Sequence, residues 1–200
     1  ESRTHFSSLS APPTPAAEWR ILIMKKIIRK IPIPICGVIL GLAALGNLLQ
    51  SYSENIRYAC GIMAGLLLVL FALKCIMFPK DITKDMNDPI TASIAGTFSM
   101  ALMLLSTYLK PFIGSAALYI WYLAILLHIV LIIYFTVKFM FKLDMRKVFA
   151  SYYIVYVGIA VAAISAPAFK KQSIGAAAFW FGFVTFIALL VLITVRYARY

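Results

Sequence analysis

From Pro89 to Leu109 the chain carries no charged side chain. A helix of about 20 such residues is as long as a bilayer's hydrocarbon core is thick, roughly 30 Å. The run opens on Asp88-Pro89, a capping acid followed by Pro at the first helical position, where its missing N–H costs nothing. Its content does not suit a helix that meets only lipid. Thr91, Ser93, Thr97 and Ser99 bring hydroxyls to membrane depth, and Ala92, Ala95, Gly96 and Ala101 leave room beside them. Lipid rewards neither hydroxyls nor small side chains, so this helix is expected to face other helices or water.

The same length of apolar sequence recurs along the chain. We read six membrane spans, Pro34–Gln50, Ile56–Phe78, Pro89–Leu109, Ile113–Phe139, Val148–Phe169 and Ser173–Val195, within a transmembrane domain covering 24–200. Composition agrees, with 63% hydrophobic and 13% charged residues and a mean hydropathy of +0.93. The fold class is an all-α membrane protein. The net charge of +12 lies in short clusters between apolar runs and accompanies no nucleic-acid motif, so topology explains it and no nucleic-acid partner is expected.

Lys25, Lys26, Arg29, Lys30, Lys80, Lys84, Lys142, Arg146, Lys147, Arg196 and Arg199 fall on one side of the spans, against Arg57, Lys110, Lys170 and Lys171 on the other. This excess places both termini in the cytoplasm of a plasma-membrane protein. Residues 1–23 are rich in Ser, Pro and Ala and read as a disordered leader, with Met24-Lys25-Lys26 resembling a natural start. The basic cluster before the first span imitates a signal peptide, but no small-residue cleavage site with a polar sequel follows it.

Short connections on the less basic side make spans one and two, three and four, and five and six antiparallel hairpins. The odd spans are slim: the first holds Gly37, Gly41, Ala44 and Gly46, and the fifth Gly158, Ala162, Ala163, Ser165 and Pro167. The second and fourth are bulky, as in Leu66–Leu70, and the sixth is mixed. Small side chains permit close backbone approach or an open lumen, so odd helices are expected inside and even helices outside. Pro34 and Pro89 read as helix starters, whereas Pro167, late in a long apolar run, is the better candidate for a bend. Gly37-x-x-x-Gly41 and Gly61-x-x-x-Gly65 match a packing pattern expected to act within the chain.

Catalytic chemistry has little to draw on. Glu54, Asp81, Asp85, Asp88 and Asp144 all fall in or beside connections, which argues against a proton relay. Cys36, Cys60 and Cys75 are odd in number and form no C-x-x-C pair, so no disulfide framework, metal or cofactor is expected. His128 lies on the bulky fourth span without a nucleophile beside it and reads as packed or hydrogen-bonded. Transport of anions, by contrast, requires no acid: positive potential, helix N-termini and hydroxyl donors suffice. The candidates for lining or packing such a passage are Gly37, Gly41, Ser93, Gly96, Thr97, Gly158, Ser165 and Pro167. The alternative for the hydroxyls is a bond back to their own helix carbonyls.

The run Ile33-Pro34-Ile35-Cys36-Gly37 through Gly41-Leu42-Ala43-Ala44-Leu45-Gly46-Asn47 resembles the first span of the tellurite-resistance/dicarboxylate transporter family, which includes slow anion channels and malate transporters. Asp88-Pro89 with the hydroxyl-rich run after it, and Ser151-Tyr152-Tyr153 through Ala166-Pro167-Ala168-Phe169, are similar to its third and fifth spans. The resemblance, over roughly residues 30–200, implies helical hairpins around a pore, a homotrimer, and passage of small anions or C4-dicarboxylates without enzymatic activity. It also implies ten spans, so a chain of six is expected to be a truncated copy. A structural or regulatory membrane protein, or an inactive fragment of such a transporter, is the alternative reading.

Overall fold

A computed structural model describes residues 15–141 and 144–199. Residues 1–14 of the expected leader, and Lys142, lie outside the described residues. The second part of that leader is helical: α1 spans Pro15–Lys30, a correction to the disordered reading of 1–23. Ala16, Ala17 and Glu18 are strong helix formers, and Ile23, Met24, Ile27 and Ile28 recur at helical spacing between basic residues. The Ser- and Pro-rich residues before Pro15 mask that pattern when the segment is read as one.

After α1 come α2 (Ile35–Leu49), α3 (Glu54–Met77), the short α4 (Pro79–Asp85), α5 (Pro89–Ile94), α6 (Gly96–Ile113) and α7 (Ala116–Phe135). The last of these runs on through a π-turn at Thr136–Met140. Two further short helices, α8 (Tyr152–Tyr156) and α9 (Val161–Ser165), precede α10 (Gln172–Arg199). Every expected span is therefore helical in part, but not as six uninterrupted rods. Among the described residues four segments are long and apolar enough to cross a membrane: Glu54–Met77, Pro89–Ile113, Ala116–Met140 and Gln172–Arg199. The first expected span, α2, is shorter, and the helix before it meets it at a bend of 78°.

The fifth expected span is a chain of short pieces. Between α8 and α9 the backbone tightens into a 3-10 turn at Gly158–Ala160, and after α9 into another at Ala166–Phe169. Gly158 and the β-branched Val155, Val157 and Ile159 favour the α-helix weakly, and Pro167 cannot donate a helical hydrogen bond. Such irregular backbone is tolerated at membrane depth only where protein or water satisfies it, and Tyr152, Val155, Tyr156, Gly158, Ile159, Ala162, Ser165 and Ala166 are all buried.

The bundle is assembled around α6. It packs along α7, crosses α2, and touches α9 and α3. α2 packs along α3, and α9 against α10. Of the most apolar window of each long helix, 61% is buried for Pro89–Ile113, against 17% for Glu54–Met77 and 22% for both Ala116–Met140 and Gln172–Arg199. The third segment is thus far more enclosed than the second, fourth and sixth. α2 is divided: Cys36, Ile39, Ala43 and Gly46 are buried, while Val38, Gly41, Ala44, Leu45 and Leu48 are exposed.

Candidate functional site

The start of the third span forms as its sequence dictates. Asp88 caps α5, its Oδ2 accepting from the Thr91 amide and the Thr91 hydroxyl, both at 2.8 Å, and Pro89 takes the first helical position. Beyond it the hydroxyls turn inward on their own helix. Ser93 donates to Ile90 O at 2.7 Å and Thr97 to Ile94 O at 2.7 Å, and both residues are buried. Ser165 donates to Val161 O at 2.8 Å and accepts the indole N–H of Trp121 at 2.8 Å. These are local back-bonds of the kind that satisfy a hydroxyl in an apolar setting.

Ser99 departs from that pattern. Its hydroxyl lies 2.9 Å from Gly96 O and 2.7 Å from Nδ1 of His128 on α7. The opposite ring nitrogen, Nε2, is 2.9 Å from Val155 O. A carbonyl only accepts, so Nε2 carries the proton and Nδ1 accepts from Ser99. Val155 lies in the last turn of α8, where carbonyls lose their helical partners. His128, fully buried, therefore joins α6 and α7 to the broken fifth span, in the hydrogen-bonded role expected of it.

Gly96 and Gly158 serve the same junction. A Cβ on Gly96 would stand 3.2 Å from Leu131 and 3.3 Å from Ile154, and one on Gly158 would stand 2.7 Å from Met100 Sδ and 3.1 Å from His128 Cε1. Both positions are packed by neighbours. Gly37 and Gly41 are different: a Cβ at either meets nothing within 4 Å, so neither takes part in the close packing expected of the Gly-x-x-x-Gly pattern. They lie on the open face of α2 with Ala44. Pro167, the expected bend, is exposed in the closing 3-10 turn, whereas the first departure from α geometry comes earlier, at Gly158.

Sequence reasoning passed over the cations inside the spans. Arg57, at the start of α3, is buried; its Nε donates to Asn47 Oδ1 at 3.3 Å and its guanidinium lies 4.6 Å from the centre of the Tyr108 ring. Tyr108 is itself wedged between helices, donating to Ala43 O at 2.6 Å. Gly46 and Gly61 make room for it, since a Cβ on either would come within 2.4 Å or 2.6 Å of its side chain. Lys74, near the other end of α3, is 4% exposed and donates to Ile31 O, with Asp85 Oδ2 at 3.9 Å. Lys138 spends its donors on Asn87 Oδ1, on Tyr134 OH at 2.6 Å and on Met86 O at 3.3 Å.

Ionisable residues within apolar runs are the signal that marks these positions, because a charge at membrane depth is costly and must find partners. The partners here are carbonyls, two amide oxygens, a phenol and aromatic faces more than carboxylates. Among the described residues the buried charged side chains are Arg57 and Lys74, both cations. A bundle whose interior charge is positive attracts anions and repels cations.

The comparisons with known proteins bear on this arrangement. No curated protein matches the chain. The family described as SLAC1, voltage-dependent anion channel, matches residues 30–200, a stretch that takes in every element from the end of α1 onward. Apolar helices with a slim inner set, a cationic interior and a match across nearly all of the chain point the same way, and the protein belongs to the voltage-dependent anion channel family.

Proposed function

We propose that the protein passes small anions or C4-dicarboxylates across the plasma membrane, in the manner of a channel or uniporter, along a route bordered by the odd-numbered spans. The observation that carries this reading is the interior charge. Arg57 and Lys74 are buried without an equally buried acid, and their field favours an anion in a low-dielectric surrounding. On α2 a Cβ at Gly37 or Gly41 would meet nothing within 4 Å, and we assign the border of the route to these two residues. Ser93, Gly96, Thr97, Gly158 and Ser165 support it from behind as packing, and Pro167 ends the fifth span. Both termini are assigned to the cytoplasm from the basic-residue excess, and a homotrimer follows from the family resemblance.

Flux of chloride, nitrate and malate from loaded proteoliposomes tests the reading. The expected result is flux above empty vesicles for at least one of the three, reduced about tenfold by Gly41→Leu, roughly 1.4 kcal/mol in barrier height, with the protein's thermal unfolding unchanged. Flux no greater than that of empty vesicles, from protein shown to be folded, returns the chain to a non-transporting structural or regulatory role. Flux that is insensitive to Gly37→Leu and Gly41→Leu moves the route away from α2.

A further inference from the structure

The helix that precedes the first span is built unlike any other part of the molecule. On a wheel of 100° per residue, Lys25, Lys26, Arg29 and Lys30 fall within an arc of about 140°, and Ile23, Met24, Ile27 and Ile28 occupy an opposing arc of about 140°. Most of both arcs is uncovered: Met24 is 59% and Ile27 60% exposed, while Trp19 and Leu22, more open still, fall on the lysine side of the wheel and Arg20 on the apolar side, so the two-faced pattern belongs to residues 23–30. Among the described residues the helix is held at its last turn. Ile28 is buried, Arg29 Nε donates to Asp81 Oδ2 on α4 at 2.7 Å, and Lys74 of α3 reaches Ile31 O just beyond.

Its direction is fixed by the elbow before α2. Leu22–Lys30 meets Ile35–Leu49 at 78°, so while α2 crosses the bilayer α1 runs nearly parallel to the bilayer surface. Its attachment to α4 and to the C-terminal end of α3 places it on the side that carries Lys80 and Lys84. A helix in that plane, with isoleucine and methionine along one side and lysine along the other, has the make-up of one that sinks to the boundary between headgroups and acyl chains. Arg29 is paired with Asp81, whereas Lys25, Lys26 and Lys30 have no hydrogen-bond or ion-pair partner among the described residues. Three unpaired ammonium groups call for an anionic surface, each worth about 1 kcal/mol against a charged leaflet.

We propose that α1 is an interfacial anchor that binds the anionic phospholipids of the leaflet it lies against, with Ile23, Met24 and Ile27 among the acyl chains and Lys25, Lys26 and Lys30 at the phosphates. The anchor sets the angle at which the chain enters α2, and so ties the open face of α2 to the lipid composition of that leaflet.

The full chain carrying Ile27→Cys, reconstituted in nanodiscs, tests this with a membrane-impermeant maleimide. The natural chain, with Cys36 buried and Cys60 and Cys75 half-buried on α3, supplies the blank. Labelling is expected to be about tenfold slower in discs holding about 30% phosphatidylglycerol than in pure phosphatidylcholine at about 0.15 M salt. Tyr52→Cys, exposed in the connection between α2 and α3, is expected to label at one speed in both. Adding Lys25→Gln, Lys26→Gln and Lys30→Gln to the Ile27→Cys chain restores fast labelling in the anionic discs. Equal, fast labelling of Ile27→Cys in both lipids overturns the anchor. Protection that is equal in both lipids, or that survives the three glutamines, overturns the anionic partner. Neither readout requires flux, so the anchor stands or falls apart from the transport reading.

Discussion

Compare α3 with the α5–α6 segment. Both are apolar and long enough to cross a bilayer, and they touch each other. Their most apolar windows are 17% and 61% buried. α3 presents Ile62, Leu66, Val69 and Ile76 outward, whereas α5–α6 encloses Ala92, Ser93, Gly96, Thr97 and Ser99. Average apolarity does not separate the two. What separates them is side-chain size and the presence of hydroxyls, because a lipid-facing helix gains nothing from closeness and a protein-facing one gains contact and hydrogen bonds. In water the corresponding sorting is done by polarity; in a bilayer it is done by shape.

Substitutions that set an inner position against an outer one can break this comparison. The largest effect is expected at tryptophan. Trp121 is fully buried and donates to Ser165, while Trp180 is 61% exposed on α10. Trp121→Ala is expected to cost about 3 kcal/mol or more through the cavity it leaves, and Trp180→Ala less than about 0.5 kcal/mol, measured by denaturant unfolding in micelles. Equal losses would mean that the two helices do not differ in surroundings.

Next come the glycines. Gly158→Leu drives a side chain against Met100 and His128 and is expected to cost about 2 kcal/mol. Gly41→Leu, with open space around it, is expected to leave stability within about 0.5 kcal/mol. Thermal unfolding in detergent checks the pair, and a Gly41→Leu as damaging as Gly158→Leu would place α2's open face in the packed interior.

A smaller loss is expected from His128→Leu. It keeps the bulk but deprives Val155 O of its donor, for about 1 kcal/mol given the modest worth of hydrogen bonds between membrane helices. Faster hydrogen exchange confined to α8 and the turn at Gly158–Ala160 is the signature; a global loss would show that His128 supports the whole bundle.

The smallest effect belongs to the surface pair Arg29–Asp81. The hydrogen bond from Arg29 holds the Asp81 carboxyl below the usual carboxylate range. Its contribution is whole above the ordinary aspartate value of about 3.9 and disappears as the pH falls through Asp81's lowered value. Solvent screens both side chains, so the change is slight. Hydrogen exchange in α1, corrected for its intrinsic pH dependence, is expected to rise across that range in the natural chain and to lack the step in Asp81→Asn.

Much of this architecture is legible in residue types. Asp88-Pro89 announces a helix start because its capping chemistry is local, and the long spans announce themselves because a bilayer imposes a length. The slimness of the third and fifth spans is equally plain. What the letters hide is set by partners far along the chain. Nothing around Tyr108 shows that Gly46 and Gly61 are its sockets, and nothing around Lys138 shows that Asn87 and Met86 will receive it. The fifth span was expected to bend at Pro167 because proline is the strongest local breaker, yet the helix first gives way at Gly158, where Met100 and His128 press closest. α1 is helical where its Ser- and Pro-rich beginning suggested none. Arg57 was visible but weighed only as a marker of sidedness, and Lys74, inside the second span, was passed over, since attention rested on missing acids.

The imidazole of His128 and the irregular turn after α8 depend on each other. Were the fifth span regular, the carbonyl of Val155 would return to its own ladder, and an N–H would be stranded in a place that water does not reach. Were the ring replaced by an aliphatic group, the same carbonyl would be stranded in its turn. Neither half of this pairing can drift alone, so among natural variants a straightened fifth helix and a non-polar residue at this position are expected to arrive together.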